Sequence, residues 1–381
     1  MDKKVFTILV VTMFISMLGF GIVVPLLPIY ADQLGATPLE IGFINGGFSL
    51  TLLVFLSIVG RLSDRIGRKV FLCSGLAILI IASLGFIWAQ NSLQLILVRC
   101  FQGLGASMHL PIAQAYLGDI TPKGEEGRWM GRFNAVLFSA VGVGPLIGGL
   151  LTDLFSTSTT FLVMAVLSAI GLVATIIFLP KAAKKITLEK GGAVFTSFKK
   201  SDKLKGAFAF QMGNGFVMAC MFTFLPLFAN QNLGLSVSLI GLLIASQTPM
   251  ALLQSYTGTL ADKYSRRRLV TAGGIAAVIF IALLPTANSF WPLLAMYVLM
   301  AAGIAFAMPS VTAYVVGEGR TLGMGASMAM LMMAMQIGTG VGPIMLGGIV
   351  EFMGIKSAFY SAAGILLISI AVFTWFIRKH H

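Results

Sequence analysis

Long apolar runs alternate along the chain with short polar breaks. Val5 to Ala31, Ile41 to Gly60 and Ser357 to Ile377 contain no charged residue. At about 1.5 Å per residue, each run is long enough as a helix to cross a hydrocarbon core about 30 Å thick. Gly206 to Ala261 and Leu269 to Gly317 are uncharged over stretches that hold two crossings each. Asn232, Gly234 and Ser236 interrupt the first; Pro285, Asn288 and Pro292 interrupt the second. The pattern predicts spans at 5–30, 40–60, 69–89, 92–118, 130–152, 158–179, 205–230, 237–258, 268–287, 290–316, 322–350 and 356–377. Strands of a membrane barrel would alternate polar and apolar positions. These runs are apolar all round, so the predicted elements are helices. The first run is too long for a signal peptide and lacks a small-residue cleavage site, which predicts an uncleaved first helix.

Composition agrees with a bilayer as the main solvent: 57% of the 381 residues are hydrophobic and only 10% are charged. A soluble domain is nearer one quarter charged. The net charge of +13 raises nucleic acid as a partner, but the distribution excludes it. With the N-terminus in the cytoplasm, all of the 26 Lys and Arg except Arg99 and Lys356 fall in cytoplasmic segments. Such a bias sets orientation in a membrane and predicts a protein of the cell membrane with both termini in the cytoplasm. Cys73, Cys100 and Cys220 lie in or beside spans and give no disulfide framework. His380 and His381 read as a tag remnant.

Shifted by 198 residues, the chain aligns with itself. Gly60-Arg61-Leu62-Ser63-Asp64-Arg65 falls on Gly258-Thr259-Leu260-Ala261-Asp262-Lys263, and Gly142-Val143-Gly144-Pro145 falls on Gly340-Val341-Gly342-Pro343. Pro28, Gly105, Pro111 and Tyr116 fall on Pro226, Gly303, Pro309 and Tyr314. One offset across separate regions predicts two six-helix bundles of the same topology: 1–180 and 205–381, joined by a basic cytoplasmic linker at 181–204. Repeats of this kind carry a substrate site near the midplane and alternate its access.

Four features carry candidate chemistry. Gly60-x-x-x-Asp64-Arg65-x-Gly67-Arg68-Lys69 lies between spans 2 and 3. Its glycines permit a tight turn, and its Asp among cations can cap amides or pair with Arg. Repeated at Asp262 to Arg266, it reads as a cytoplasmic latch rather than as a basic loop alone. Gly142-x-Gly144-Pro145-x-x-Gly148-Gly149 in span 5 joins small residues, which let helices approach closely, to a proline that bends the backbone. With Gly342 and Pro343 it reads as a hinge; static packing is the plainer alternative. Arg99 is the one charge well inside a span, an expensive placement that usually marks function. His109 lies near mid-span, seven residues from Gln102 and so on nearly the same helical face. It reads either as a packed core histidine or as a proton relay.

Together these motifs resemble the major facilitator superfamily over the whole chain. The 60–69 segment matches that family's first signature, and Arg99-x-x-Gln102-Gly103-x-Gly105 matches its second. The span 5 motif is similar to that of the antiporter branch. Pro25-x-x-Pro28, and Asp119-x-Thr121-Pro122 with Gly127-Arg128-x-Met130-Gly131, resemble the twelve-span drug:proton antiporters. The resemblance implies an all-α integral membrane protein of twelve helices in two pseudo-symmetric bundles, with Asp119 added to the latch. It also implies a cavity lined by spans 1, 4, 7 and 10. Those spans offer Met13, Met17, Phe20, Gln102, His109, Gln211, Asn214, Met218, Phe222, Phe306 and Tyr314. Many relatives carry a carboxylate at mid-membrane; here no span has a central Asp or Glu. The proton-coupling candidates are therefore Arg99, His109 and the rim acids Asp32 and Glu40.

The expectation is a monomeric secondary transporter that exports amphipathic small molecules, driven by protons and needing no cofactor. Uptake or lipid flipping by the same fold is the nearest alternative. A membrane enzyme using His109 is remote, because no catalytic partner or metal-ligand cluster stands near it in sequence. No phosphate loop is present to use ATP.

Overall fold

The computed structural model describes residues 3–122, 125–180, 201–250, 257 and 264–378. Among these, the chain is helical with no strand. The first seven helices are α1 (Lys3–Gln33), α2 (Pro38–Ile66), α3 (Arg68–Trp88), α4 (Ser92–Ser107), α5 (Leu110–Ile120), α6 (Glu126–Leu154) and α7 (Thr157–Phe178). They are followed by α8 (Asp202–Leu233), α9 (Val237–Ala245), α10 (Arg266–Leu283), α11 (Phe290–Leu322), α12 (Met324–Met353) and α13 (Lys356–Arg378). Eleven helical segments among the described residues are long and apolar enough to cross a membrane, with α4 and α5 forming one of them. Val237–Met250 is a shorter apolar helix that adjoins undescribed residues. The predicted linker at 181–204 lies outside the described residues except for its last four.

The helices form two compact units: one holds α1 to α7 together with α9, the other α8 and α10 to α13. In the first, α1 packs on α6 and α7, α3 packs on α4 and α7, and α2 packs on α4. In the second, α8 packs on α12 and α13, and α10 packs on α11 and α13. Helices related by the 198-residue offset thus choose corresponding neighbours. The departure is α9, which packs on α6 and belongs to the first unit.

Glycine pairs explain the shared geometry, because hydrocarbon offers no hydrophobic drive between helices and close backbone contact must do more of the work. A Cβ on Gly75 would stand 2.9 Å from the Gly105 carbonyl oxygen, and one on Gly303 would stand 2.6 Å from that of Gly273. Gly75 and Gly105 become Gly273 and Gly303 under the offset, so one crossing is written twice. Gly144 meets Gly21 with its added Cβ only 2.7 Å from the Gly21 Cα, and its counterpart Gly342 meets Ala219 at 2.9 Å.

Three sequence expectations change in detail. The 60–69 segment is mostly helix: α2 runs on through Gly60 to Ile66, and only Gly67 leaves it, at φ 120°. Gly67 alone needs the backbone freedom of glycine there; Gly60 sits mid-helix and its carbonyl accepts from the Ser63 hydroxyl at 2.7 Å. Ser265, where the repeat places its counterpart, has φ −58° and makes a different turn. Span 4 is two helices, broken at Met108 and His109. Pro111 has no N–H to continue the α4 ladder, and its ring disfavours a helical turn before it. The shared face inferred for Gln102 and His109 does not survive this break.

The span 5 motif also divides. Gly144 and Gly148 face α1 of the same unit, whereas Gly149 faces the start of α9. Gly142 is half-buried, and Pro145 and Pro343 are buried. Gly144→Ala is therefore expected to force α1 and α6 apart, lowering thermal stability by about 1–3 kcal/mol equivalent. Gly118→Ala, where an added methyl meets nothing within 4 Å, serves as control. Comparable melting temperatures of the two purified variants would remove the close-approach role of Gly144.

Candidate functional site

The first unit buries a polar group on α1, α2 and α4. Asn91 caps α4 by accepting from the Gln94 amide at 3.0 Å, which starts the helix that carries Arg99 and Gln102 inward. Gly103 then lets α4 lie against α2: a Cβ there would come within 3.1 Å of the Thr51 Cβ and 3.2 Å of the Phe48 carbonyl carbon. That approach brings Asn45 and Phe48 to Arg99. The Arg99 side chain donates from Nη1 to Gln102 Oε1 at 2.5 Å and from Nη2 to Asn45 Oδ1 at 3.4 Å. Its guanidinium carbon lies 4.5 Å from the Phe48 ring centre and 5.9 Å from that of Phe20, a cation–π arrangement. Arg99 is only 6% exposed and Gln102 is fully buried.

His109 is buried at the head of α5, and its Nδ1 has no hydrogen-bond partner. It belongs to a wider set. Among the described residues, eleven buried side-chain nitrogen or oxygen atoms lack a partner. In the first unit they belong to Ser16, Asn45, Arg99, Gln102 and His109. In the second they belong to Gln211, Asn214 and Thr223 of α8, Tyr297 and Ser310 of α11, and Ser327 of α12. None lies on α3, α6, α7, α10 or α13. A bilayer cannot supply the missing bonds; water or a ligand could.

One of the two rim acids, Glu40, is hydrogen-bonded through both carboxylate oxygens. Glu40 accepts from the Thr37 amide at 2.8 Å in a capping box at the start of α2 and from the Ser92 hydroxyl at 2.8 Å. Arg99 has amide and aromatic partners, and no carboxylate partner among the described residues. Asp153, at the C-terminal end of α6, accepts from the Val237 and Ser238 amides at 3.2 and 2.8 Å. This caps the start of α9 with a negative charge where the helix dipole favours one.

Other cavity candidates divide between open and packed positions. Met13 is 1% exposed among Leu9, Ile112 and Tyr116, and Met17 packs against the same core. Tyr314 lies edge-on to Phe373 of α13, with ring centres 5.9 Å apart. Gln211, Asn214, Met218 and Phe222 follow helical spacing on α8, with the two amides buried and the last two half-buried; Phe306 is partly exposed. Asn45 and Phe48 were not anticipated; an Asn beside Gly46 and Gly47 within an uncharged span was the available signal.

Where α2 gives way to α3, Arg68 pairs with Asp64 at 3.0 Å and with Asp119 of α5. Lys69 donates to the Ile176 carbonyl near the end of α7 at 2.8 Å. Asp64, Arg68, Lys69 and Asp119, the residues expected to form a latch, thus tie α2, α3, α5 and α7 together, while Arg65 is exposed. Asp262 lies outside the described residues, and Arg266 opens α10.

Comparison with known proteins decides the family. The model of the Major Facilitator Superfamily matches residues 9–246 and 207–381. The chain belongs to the Major Facilitator Superfamily. It is a multi-pass membrane transporter, not an enzyme. It is 31% identical over 371 residues to an uncharacterized MFS-type transporter of Methanocaldococcus jannaschii, covering 95% of each chain. It is 24% identical over 388 residues to the quinolone resistance protein NorA of Staphylococcus aureus, covering 100% of this chain and 98% of NorA. Among solved structures it resembles a bacterial homologue of the human lysosomal transporter Spinster, with a TM-score of 0.83 at 15% identity, covering 99% of this chain and 98% of the other. It also resembles the nucleoside transporter NupG, with a TM-score of 0.82 at 16% identity, covering 99% of each. These two likenesses show the fold.

The ion cluster around Arg68 gives a measurable expectation. In a double-mutant cycle of Arg68→Ala and Asp119→Asn, thermal unfolding should give a coupling of about 1–2 kcal/mol, because the pair is mostly shielded from water. Asp64→Asn should insert normally yet lose most transport. Additive effects in the cycle, or full transport by Asp64→Asn, would remove the ionic cluster from the mechanism.

Proposed function

We propose that this transporter exports amphipathic organic compounds across the cell membrane in exchange for protons. The observation that carries the reading is the set of partnerless buried polar atoms, confined in each unit to a few helices. Such atoms persist in a stable membrane protein when water or a ligand completes them. Apolar and aromatic residues share those helices: Phe20 and Phe48 beside Arg99, and Met218 and Phe222 along α8. Adaptable Met surfaces and aromatic faces suit varied lipophilic compounds. Similarity to a quinolone resistance protein along the whole chain supports export of such compounds. The fold likeness to a nucleoside transporter assigns no substrate here.

In this reading the latch residues hold the inner ends of the first unit's helices, and the transporter works as a monomer with both termini in the cytoplasm. His109 is the coupling candidate. It is buried, it sits at a break in α4–α5 where discontinuous helices commonly form ion sites, and an imidazole ordinarily titrates near neutrality. Each proton entering is driven by about 2.3 kcal/mol per 100 mV of membrane potential.

Proteoliposomes with an imposed pH gradient and a panel of lipophilic dyes test this. The wild type should move dye against its gradient, and a protonophore should stop it. His109→Ala should still bind dye but lose substrate-induced proton movement. Dye movement indifferent to the protonophore would refute exchange. Full proton movement by His109→Ala would make the histidine a packing residue.

A further inference from the structure

The partnerless atoms around Arg99 share one chemical character. Arg99 donates to Oε1 of Gln102 and to Oδ1 of Asn45, so both amide oxygens are occupied. What remains are Arg99 Nε, Gln102 Nε2 and Asn45 Nδ2, each buried without a partner. All three are N–H donors. They surround a cation that has no carboxylate partner among the described residues. A neutral carbonyl would satisfy a donor but leave the charge uncompensated in a medium where that is expensive. An anionic acceptor satisfies both requirements, and a planar guanidinium is matched to a planar carboxylate.

We propose that Arg99, Gln102 and Asn45 form a carboxylate-binding site, and that the transported compounds are organic acids with an aromatic or lipophilic body. The rings of Phe48 and Phe20, 5.5 Å apart and tilted by 35°, flank the guanidinium and supply apolar surface beside the charged end. The shared scaffold does not require the cluster. Under the 198-residue offset Arg99, Gln102, Asn45 and Phe48 correspond to Tyr297, Met300, Leu243 and Ser246. None of the four is retained.

The ligand's role as cargo rests on the export reading. Its charge then answers a question that reading leaves open. An anion leaving a cell that is negative inside moves down the membrane potential, and a proton entering moves the same way. Export of acids therefore gains from both movements.

The test uses the purified full chain in nanodiscs of zwitterionic lipid, in gluconate buffer at neutral pH, with calorimetric binding of 2-naphthoate and of its uncharged analogue 2-naphthamide. The wild type should bind the acid about a hundredfold more tightly than the amide, the scale of a buried charge pair. Arg99→Gln should keep amide binding and lose the preference for the acid. Asn45→Asp places a carboxylate opposite Arg99 and should also lose naphthoate binding. Equal affinities for acid and amide, undetectable naphthoate binding, or a preference retained by Arg99→Gln would overturn the assignment. So would displacement of naphthoate by chloride alone, which would mark a halide site. No gradient is imposed, so this assay can fail while proton-driven dye transport succeeds, and the reverse.

Discussion

Hydrocarbon offers a buried polar group no partner, and the architecture follows from that constraint. Backbone groups are satisfied within helices, which is why the described residues form helices and no strand. Helix association cannot rely on expelling water from apolar faces, so it uses near-contact of backbones at glycine. The Gly75–Gly105 and Gly273–Gly303 crossings, and the contacts of Gly144 with Gly21 and of Gly342 with Ala219, set the spacing in each unit. Gly103 shapes the polar cluster as well as the packing: the approach it permits delivers Asn45 and Phe48 to Arg99.

Against that background, departures from regular structure acquire meaning. Pro111 interrupts span 4 and leaves His109 at a helix start instead of within a turn. Gly67 holds a conformation closed to other residues at the end of α2, while Ser265 follows another path in the second half. The repeat is thus kept at the Gly75–Gly105 and Gly21–Gly144 crossings and lost at Gly67 and at the α2–α4 crossing. The first half of span 8 departs furthest. It packs on α6 through Gly149 and Gly241 and is capped by Asp153.

The sequence announces most of the fold because spans are long, uncharged and repeated at one offset. Its helix ends fall short where helices continue past their apolar runs: Arg61 to Ile66 favour helix once water, the Ser57 carbonyl and Arg68 accommodate their charges, so α2 outlasts its apolar run. Arg99, Gln102 and His109 were visible as polar residues in apolar surroundings. Their partners were not, because Asn45 and Phe48 come from another helix and depend on the α2–α4 crossing. The same limit applies to Glu40. A rim acid looks unpartnered until its two oxygens are found on the Thr37 amide and the Ser92 hydroxyl. Met13 reads as cavity lining by helix number and is core by packing.

The central claim is that the partnerless polar atoms mark where water and cargo enter the protein. A structure in a lipid nanodisc, at a resolution that shows ordered water, examines this directly. The account predicts non-protein density within hydrogen-bonding distance of Arg99 Nε and His109 Nδ1. Protein groups closing on both atoms, with no room for solvent between them, would contradict it.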